Sequence, residues 1–273
     1  MSANSLIEWT DNTWDPVRAC SKVSPACAHC YAETFAERFR GVPGNAFEQG
    51  FDVRLAPWKL LEPFKWTSQK RVFVNSMSDL FNDEVPDRYI VSAFEVMAAA
   101  DWHTYQILTK RPTRMRKMLK TDLEFAARLS HIWWGVTVEN KKHGLPRLEC
   151  LQKCDVAMRF LSCEPLLEDL GPVSLDGIDW VIVGGESGSG ARPVRREWIA
   201  SVRNQCKAAH VPFYLKQWGG FPKSKLGCEL EGKEYKAFPQ MPELSAPSLV
   251  KRRQIEAELH KQLWVVGILE QAG

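Results

Sequence analysis

Asp179-Trp-Val-Ile-Val-Gly-Gly-Glu-Ser-Gly-Ser-Gly-Ala-Arg192 is an unbroken apolar run that ends in glycines, a carboxylate and a hydroxyl. A short apolar run bounded by turn formers predicts a strand buried on both faces, as in parallel sheets. The glycines after the run let backbone N–H groups approach a ligand, and Glu186 can accept hydrogen bonds from an amine or hydroxyl. The stretch lacks a GK[ST] ending, so it is not a P-loop. A flexible turn before the next helix explains the same residues.

The pattern recurs on both sides of this stretch. Leu6 to Trp9 reads as a first strand, or as a cap that leads into the cysteine-bearing loop. Arg71–Asn75, Thr104–Thr109, His131–Thr137, Val156–Leu161 and Phe213–Lys216 read as further strands. Helical periodicity lies between them. Pro86 opens a helix with Ile90, Phe94 and Met97 on one face, a helix over Arg114–Leu129 turns Met115, Met118 and Leu119 inward, and Glu197–Ala209 is a third. Strands and helices alternating at intervals of roughly 25–40 residues predict parallel βαβ units. Their number favours an α/β fold built as a complete or partial TIM-like (βα) barrel over a short doubly wound sheet. No glycine fingerprint follows the first strand to support dinucleotide binding. The barrel is expected over residues 1–222. Residues 223–273 are expected to form a small C-terminal appendage, with a hairpin near Gly232 and an amphipathic helix from Lys251 carrying Ile255, Leu259 and Leu263 on one stripe.

The composition, 45% hydrophobic and 25% charged, is that of a globular chain with a full core. No apolar run approaches the roughly 18 residues of a membrane span. The N-terminal MSANSLIEWTDNTW has no charged-then-apolar leader, so no membrane partner and a cytoplasmic location are expected. A net charge of +3 does not by itself define a nucleic-acid partner.

In a parallel barrel the chemistry collects where strands end. The strand ends here carry Ser76 and Asp79, then Lys110 and Arg111, Glu139, Glu164, the Gly184-Gly185-Glu186 turn, and Lys216. One polar strand end means little, because loops face water. Six that converge predict a catalytic cavity. Lys110, Arg111 and Arg114 form one basic cluster just beyond a strand end, and Arg192 and Arg195 form another. Phosphate contact and a solvated helix face both account for them.

Eight cysteines without a secretory leader point to metal or redox chemistry, not a disulfide framework. Cys20, Cys27 and Cys30 are spaced C-x6-C-x2-C in a loop that feeds a helix predicted from Ala26. Thiolates grouped at a helix start are suited to ligate metal. Four readings account for them: structural zinc with a fourth ligand from His29, Cys163 or Cys228; a redox pair of Cys27 and Cys30; incidental cysteines; or an iron–sulfur cube with one corner left open.

A three-cysteine loop near the N-terminus of a parallel barrel resembles the radical S-adenosylmethionine (SAM) superfamily. More narrowly, IEWTDNTWDPVRACSKVSPACAHCYAE with LSCEPL, VIVGGESG and FYLKQWG downstream is similar to a phage-associated three-cysteine-motif family related to it, over roughly residues 6–240. The resemblance implies that Cys20, Cys27 and Cys30 ligate a [4Fe-4S] cluster and that SAM chelates the open iron. It also implies an electron donor, radical chemistry on substrate, and an association with a partner protein. His29 stands where the superfamily has an aromatic residue near the adenine. Two features depart from the superfamily pattern. The first cysteine gap is six instead of three, and Gly-Gly-Glu falls on a late strand instead of the second. Either Ser76 and Asp79 therefore hold the SAM amino group, or SAM binding is altered or absent; the strand ends add Glu139, Glu164, Gly184, Gly185, Glu186 and Lys216 as further cofactor-binding candidates. A nucleic acid or nucleotide is the expected substrate. The alternative is a non-catalytic protein in which zinc or a cluster stabilises a nucleic-acid-binding surface.

Overall fold

Apolar and aromatic residues alternate along the strands so that each face of the sheet has its own core. The computed structural model describes residues 5, 7–188, 190–220, 227–241, 243–265 and 267–268. In chain order the elements begin with β1 (Asn12–Trp14), β2 (Val17–Arg18), α1 (Tyr31–Glu37) and β3 (Arg54–Leu55). Next come β4 (Arg71–Val74), α2 (Asp87–Ala99), β5 (Thr104–Thr109), α3 (Pro112–Met118), α4 (Glu124–Ala127) and β6 (Ile132–Thr137). The series continues with α5 (Lys141–Gln152), β7 (Arg159–Cys163), β8 (Trp180–Gly184), α6 (Arg196–Ala208) and β9 (Phe213–Gln217). It ends with β10 (Glu229–Leu230), β11 (Lys233–Glu234) and α7 (Leu249–Val265). The principal sheet has seven strands in the order β1-β4-β5-β6-β7-β8-β9. Every neighbouring pair in it is parallel.

The sheet is strongly curled. In a flat sheet β1 and β8 would lie about 24 Å apart, five strand spacings. Yet the ring of Trp9, just before β1, lies 6.2 Å from that of Trp180 on β8. Phe238 makes a second short link, with its ring 5.2 Å from Trp180 and the Arg71 guanidinium of β4 4.5 Å above it. Trp9, Phe73, Trp133, Phe160, Trp180, Ile182 and Tyr214 fill the concave face as one buried cluster. Gly135 makes room for it, since a Cβ there would lie 2.4 Å from the Phe160 ring. The larger apolar core, with Val74, Ile90, Phe94, Ile107, Trp134 and Leu161, lies between the convex face and the helices.

The first strand lies at Asn12–Trp14 and not at Leu6 to Trp9. Leu6 is outside the described residues. Residues 7–9 form a turn, closed by Thr10 N–H donating to the Ile7 carbonyl (3.2 Å), because Trp9 is committed to the concave cluster. Asp11 then anchors the strand start by accepting from the Arg71 N–H (2.8 Å) and guanidinium (2.7 Å). The helix expected from Ala26 begins at Tyr31, after a 3₁₀ turn at Pro25–Cys27. The helix expected over Arg114–Leu129 is two short ones, α3 and α4. Thr121, whose hydroxyl donates to the Lys117 carbonyl, lies in the break, where such side-chain bonds compete with the helical pattern.

The hairpin near Gly232 forms as β10 and β11. Beyond it, residues 235–238 run along β9, with Leu215 N–H donating to the Tyr235 carbonyl (2.8 Å) and Ala237 N–H to that of Phe213 (3.2 Å). The Trp180 indole donates to the Ala237 carbonyl (2.9 Å), so this segment also walls the concave face. The boundary expected at residues 222–223 lies outside the described residues. Helix α7 buries Leu259 and Leu263, and Arg252 donates to the carbonyls of Phe64 (3.1 Å) and Trp66 (3.2 Å). Among the described residues, no helix is long and apolar enough to cross a membrane.

His103, at the start of β5, is fully buried. Its Nδ1 accepts from the Lys70 N–H (3.2 Å) while Nε2 faces the Pro63 carbonyl (3.1 Å), an arrangement satisfied by the neutral ring. Burial is the main cause that lowers its pKa to about 4. The unfolded chain therefore binds a proton that the folded chain refuses, and stability falls as pH drops from about 6.5 towards 4. Urea denaturation across this window should show the loss, up to about 3 kcal/mol. His103→Asn, which keeps an acceptor for Lys70, should lose distinctly less over the same range.

Candidate functional site

Side chains on a strand alternate between faces, so continuing each strand past the aromatic cluster gives the residues above it. Phe73 leads to Asn75, Trp133 to Thr137, Phe160 to Ser162 and Glu164, and Tyr214 to Lys216. All five line a cavity of about 510 Å³ at the C-terminal ends of the strands, floored by Trp9 and Phe73. Its other wall is the cysteine loop, for Cys20, Cys27, His29, Cys30 and Tyr31 line the same cavity.

Two arginines hold that loop in place. Arg111 Nη2 donates to the Ser21 hydroxyl (2.7 Å) and carbonyl (3.1 Å), and its Nη1 lies 3.5 Å from Cys20 Sγ. Asn82 Nδ2 approaches the same sulfur at 3.7 Å. Arg192 Nη2 donates to the Pro25 carbonyl (2.9 Å) from the loop after β8. Burial pushes the Cys20 thiol up, opposed by the facing Arg111 and Asn82 donors. Cys163 belongs elsewhere. It lies on the convex side with Leu161, in a small apolar crevice also lined by Val138 and Leu170. Cys228 is in the C-terminal hairpin region, beside Glu234 (3.3 Å). Neither completes a four-ligand zinc site with the trio. Among the described residues, no group of three or more His, Cys, Asp or Glu side chains is arranged to grip a single metal ion.

The strand-end carboxylates divide by their partners. Asp79 is saturated by the Thr109 hydroxyl (2.8 Å), Phe81 N–H (3.0 Å), Arg111 Nη1 (3.0 Å) and Lys110 N–H (3.2 Å). Glu139 is fully buried off the cavity and paired with Arg147 of α5 at 2.5 Å. Glu186 lines the cavity but accepts from Arg192 at Nη2 (2.5 Å), Nε (2.9 Å) and the backbone N–H (3.0 Å). Burial works to raise the Glu186 carboxyl, and the contacts from Arg192 outweigh it, leaving it below the usual range. Glu164 lines the cavity, and its carboxylate is only half engaged. Its Oε2 accepts from Lys216 (3.1 Å), while Oε1 has no partner among the described residues, a state that of these four carboxylates only Glu139 shares, at its Oε1 away from the cavity. Gly184 gives that carboxylate its room, since a Cβ there would lie 2.9 Å from Oε1.

Of the candidates read from the sequence, the cavity gathers Cys20, Cys27, Cys30, His29, Ser76, Asp79, Lys110, Arg111, Glu164, Gly185, Glu186 and Lys216. Glu139, Gly184, Arg114, Arg192 and Arg195 are not among its lining residues. The basic clusters are mostly engaged within the fold. Besides Arg111 and Arg192, Arg114 donates to the Asn82 and Val85 carbonyls and to Asp87. Arg195 is exposed and lies over the Trp198 ring.

Three further residues of the site, Asp15, Tyr31 and Asn82, escape a reading of the sequence. Asp15 accepts from the Ser76 hydroxyl (3.1 Å) and the Met77 N–H (3.0 Å), and Tyr31 donates to the Ser76 carbonyl. Burial raises the Asp15 carboxyl above its ordinary range. These contacts join residues far apart in the chain, and no local spacing announces them.

The Asp79–Arg111 pair is 7% exposed on each side and ties β4, β5 and the cysteine loop together. Arg111→Met leaves a buried carboxylate without its cation and should cost about 3–5 kcal/mol in urea denaturation. Adding Asp79→Asn to that variant removes the orphaned charge and should recover part of the loss. An Arg111→Met protein as stable as the wild type would contradict this role.

No curated protein and no solved structure matches the chain. A family model matches residues 4–242, from before β1 through the hairpin and short of α7, and the chain belongs to that family, described as a protein of unknown function (DUF5131).

Proposed function

We propose that this protein is an iron–sulfur protein of radical SAM type, built on a partial TIM-like barrel and acting on a nucleotide or nucleic acid. One observation carries the proposal: three thiols spaced C-x6-C-x2-C line the same cavity as the polar ends of six parallel strands. The donor set fits a cluster better than a single ion. A cube presents its iron corners to separate sulfurs and needs no convergence on one point, and N–H donors aimed at a ligating sulfur, as Arg111 and Asn82 are at Cys20, are a common way to tune it.

When bound, a three-cysteine cluster with SAM supplies an electron to the sulfonium and starts radical chemistry. The chain's own residues would hold and orient the reactants. Asp79, with every oxygen engaged, is a poor partner for the SAM amino group, and its place in the proposal passes to Glu164 with its free Oε1. Lys216 beside it suits a carboxylate, so the pair matches a zwitterionic head group. Lys110, on the cavity wall, suits a substrate phosphate.

The engaged guanidinium groups of Arg111, Arg114 and Arg192 favour a nucleotide-sized substrate over an extended strand. The cavity volume supports the same choice, lying within the roughly 300–1,000 Å³ of small-molecule sites. These pairings also argue against a non-catalytic protein with a broad nucleic-acid-binding face.

Anaerobic purification followed by iron, labile-sulfide and zinc analysis tests the proposal. The expected result is about four irons and four sulfides per chain, lost when Cys27 is replaced by Ala, with reductant-dependent cleavage of SAM by the intact protein. Stoichiometric zinc without sulfide would overturn it, as would a cluster that survives replacement of all three cysteines.

A further inference from the structure

Above the aromatic floor, the cavity wall carries uncharged polar groups that find no partner among the described residues. Asn75 is 2% exposed, and neither its Nδ2 nor its Oδ1 has a partner among the described residues. Thr137 Oγ1 and Ser162 Oγ, each on a residue 1% exposed, are likewise unpaired, and the two residues are register partners on β6 and β7. Gln217, 5% exposed, spends its amide N–H₂ on the Gly185 carbonyl (3.3 Å) and the Ser187 hydroxyl, leaving Oε1 open. All four line the cavity, as does Trp9, whose indole N–H is also unpaired. A buried polar group without a partner destabilises the fold by about 1–3 kcal/mol. Such groups are rare enough in folded proteins that several around one cavity point to a ligand.

The backbone holds Asn75 ready for one. It has a left-handed φ of 61°, which asparagine tolerates better than most residues. Its N–H donates to the Trp14 carbonyl (2.8 Å) and its carbonyl accepts from Ser78 N–H (3.2 Å), so the side-chain amide projects from a fixed base.

We propose that this set of residues is a nucleobase subsite, which rests on the nucleotide reading above and names the part of the substrate held there. An amide with an open donor beside an open acceptor matches the edge of a base that presents the complementary pair. Two hydroxyls that can give or take a hydrogen bond complete the edge contacts, and Trp9 and Phe73 make the floor below aromatic, as suits a planar base. None of these side chains is cationic, so the set offers a phosphate no opposite charge. The phosphate end is assigned to the Lys110 side.

Calorimetric titration of the anaerobically purified protein tests this, with AMP, GMP, CMP and UMP as ligands and ribose 5-phosphate as the base-free control. At least one nucleotide should bind tenfold or more tightly than ribose 5-phosphate. Asn75→Asp, which keeps the shape and the left-handed backbone, should weaken that nucleotide at least about tenfold more than it weakens ribose 5-phosphate. Thr137→Val, nearly the same shape without the hydroxyl, is the second variant. A short single-stranded oligonucleotide in place of the nucleotide distinguishes a free base from one carried on a strand, and base-dependent binding of either supports the subsite. Nucleotides that bind no better than ribose 5-phosphate would overturn the proposal, as would two folded variants that bind like wild type. Competitive displacement of the nucleotide by SAM would also overturn it by giving the base site to the cosubstrate. Iron and sulfide measured on the same sample keep the two claims apart. A cluster without base-selective binding removes only the subsite, and base-selective binding without a cluster removes only the radical reading.

Discussion

Trp180 touches rings from both flanks of the sheet, with Trp9 before β1 on one side and Tyr214 of β9 on the other. The Trp9 contact exists only if the seven strands curl around a shared aromatic filling. The filling occupies the N-terminal part of the concave face and stops short of the strand ends. Burying this many rings supplies a strong apolar driving force, and the rigid geometry of ring packing fixes the curvature. A flat sheet with the same strands would spread its polar ends along a line. The curled one gathers them around a cavity, and the cysteine loop covers part of its mouth.

Charge in that mouth is largely cancelled within the protein. Asp79 is paired with Arg111 and Glu186 with Arg192, and both arginines also grip the cysteine loop. The basic residues that look like a phosphate-binding stripe in the sequence thus act as ties between strand ends and loop. Among the described residues, what the mouth still offers a ligand is Lys110, the Glu164–Lys216 pair with one unengaged carboxylate oxygen, and the uncharged set around Asn75. A small ligand with a charged head and a planar polar body fits that division better than a polyanion does.

The sheet strands from β4 to β9 are legible in the sequence as mainly apolar runs ended by polar residues, although the strand expected over Val156–Leu161 lies at Arg159–Cys163. The Leu259 and Leu263 stripe of α7 is legible for a similar reason, since helical spacing alone puts both on the buried face. β1 is not, because Asn-Thr-Trp is too short to show alternation, while the more apolar stretch before it serves as filling. The division among the carboxylates cannot be read in advance. Asp79, Glu139, Glu164 and Glu186 all come after strands, and only tertiary contacts decide which lines the cavity with an oxygen left unengaged. Asn75 stands in the right motif, but its importance depends on what fails to pair with it, and sequence carries no record of that.

The central claim is that Cys20, Cys27 and Cys30 hold an iron–sulfur cluster facing the polar strand ends. Anomalous diffraction at the iron edge, from crystals grown anaerobically, measures this most directly. The account predicts one compact iron peak bonded to those three sulfurs, within the cavity that the strand ends line. Iron bound elsewhere, or a zinc edge signal at the trio in its place, would contradict it.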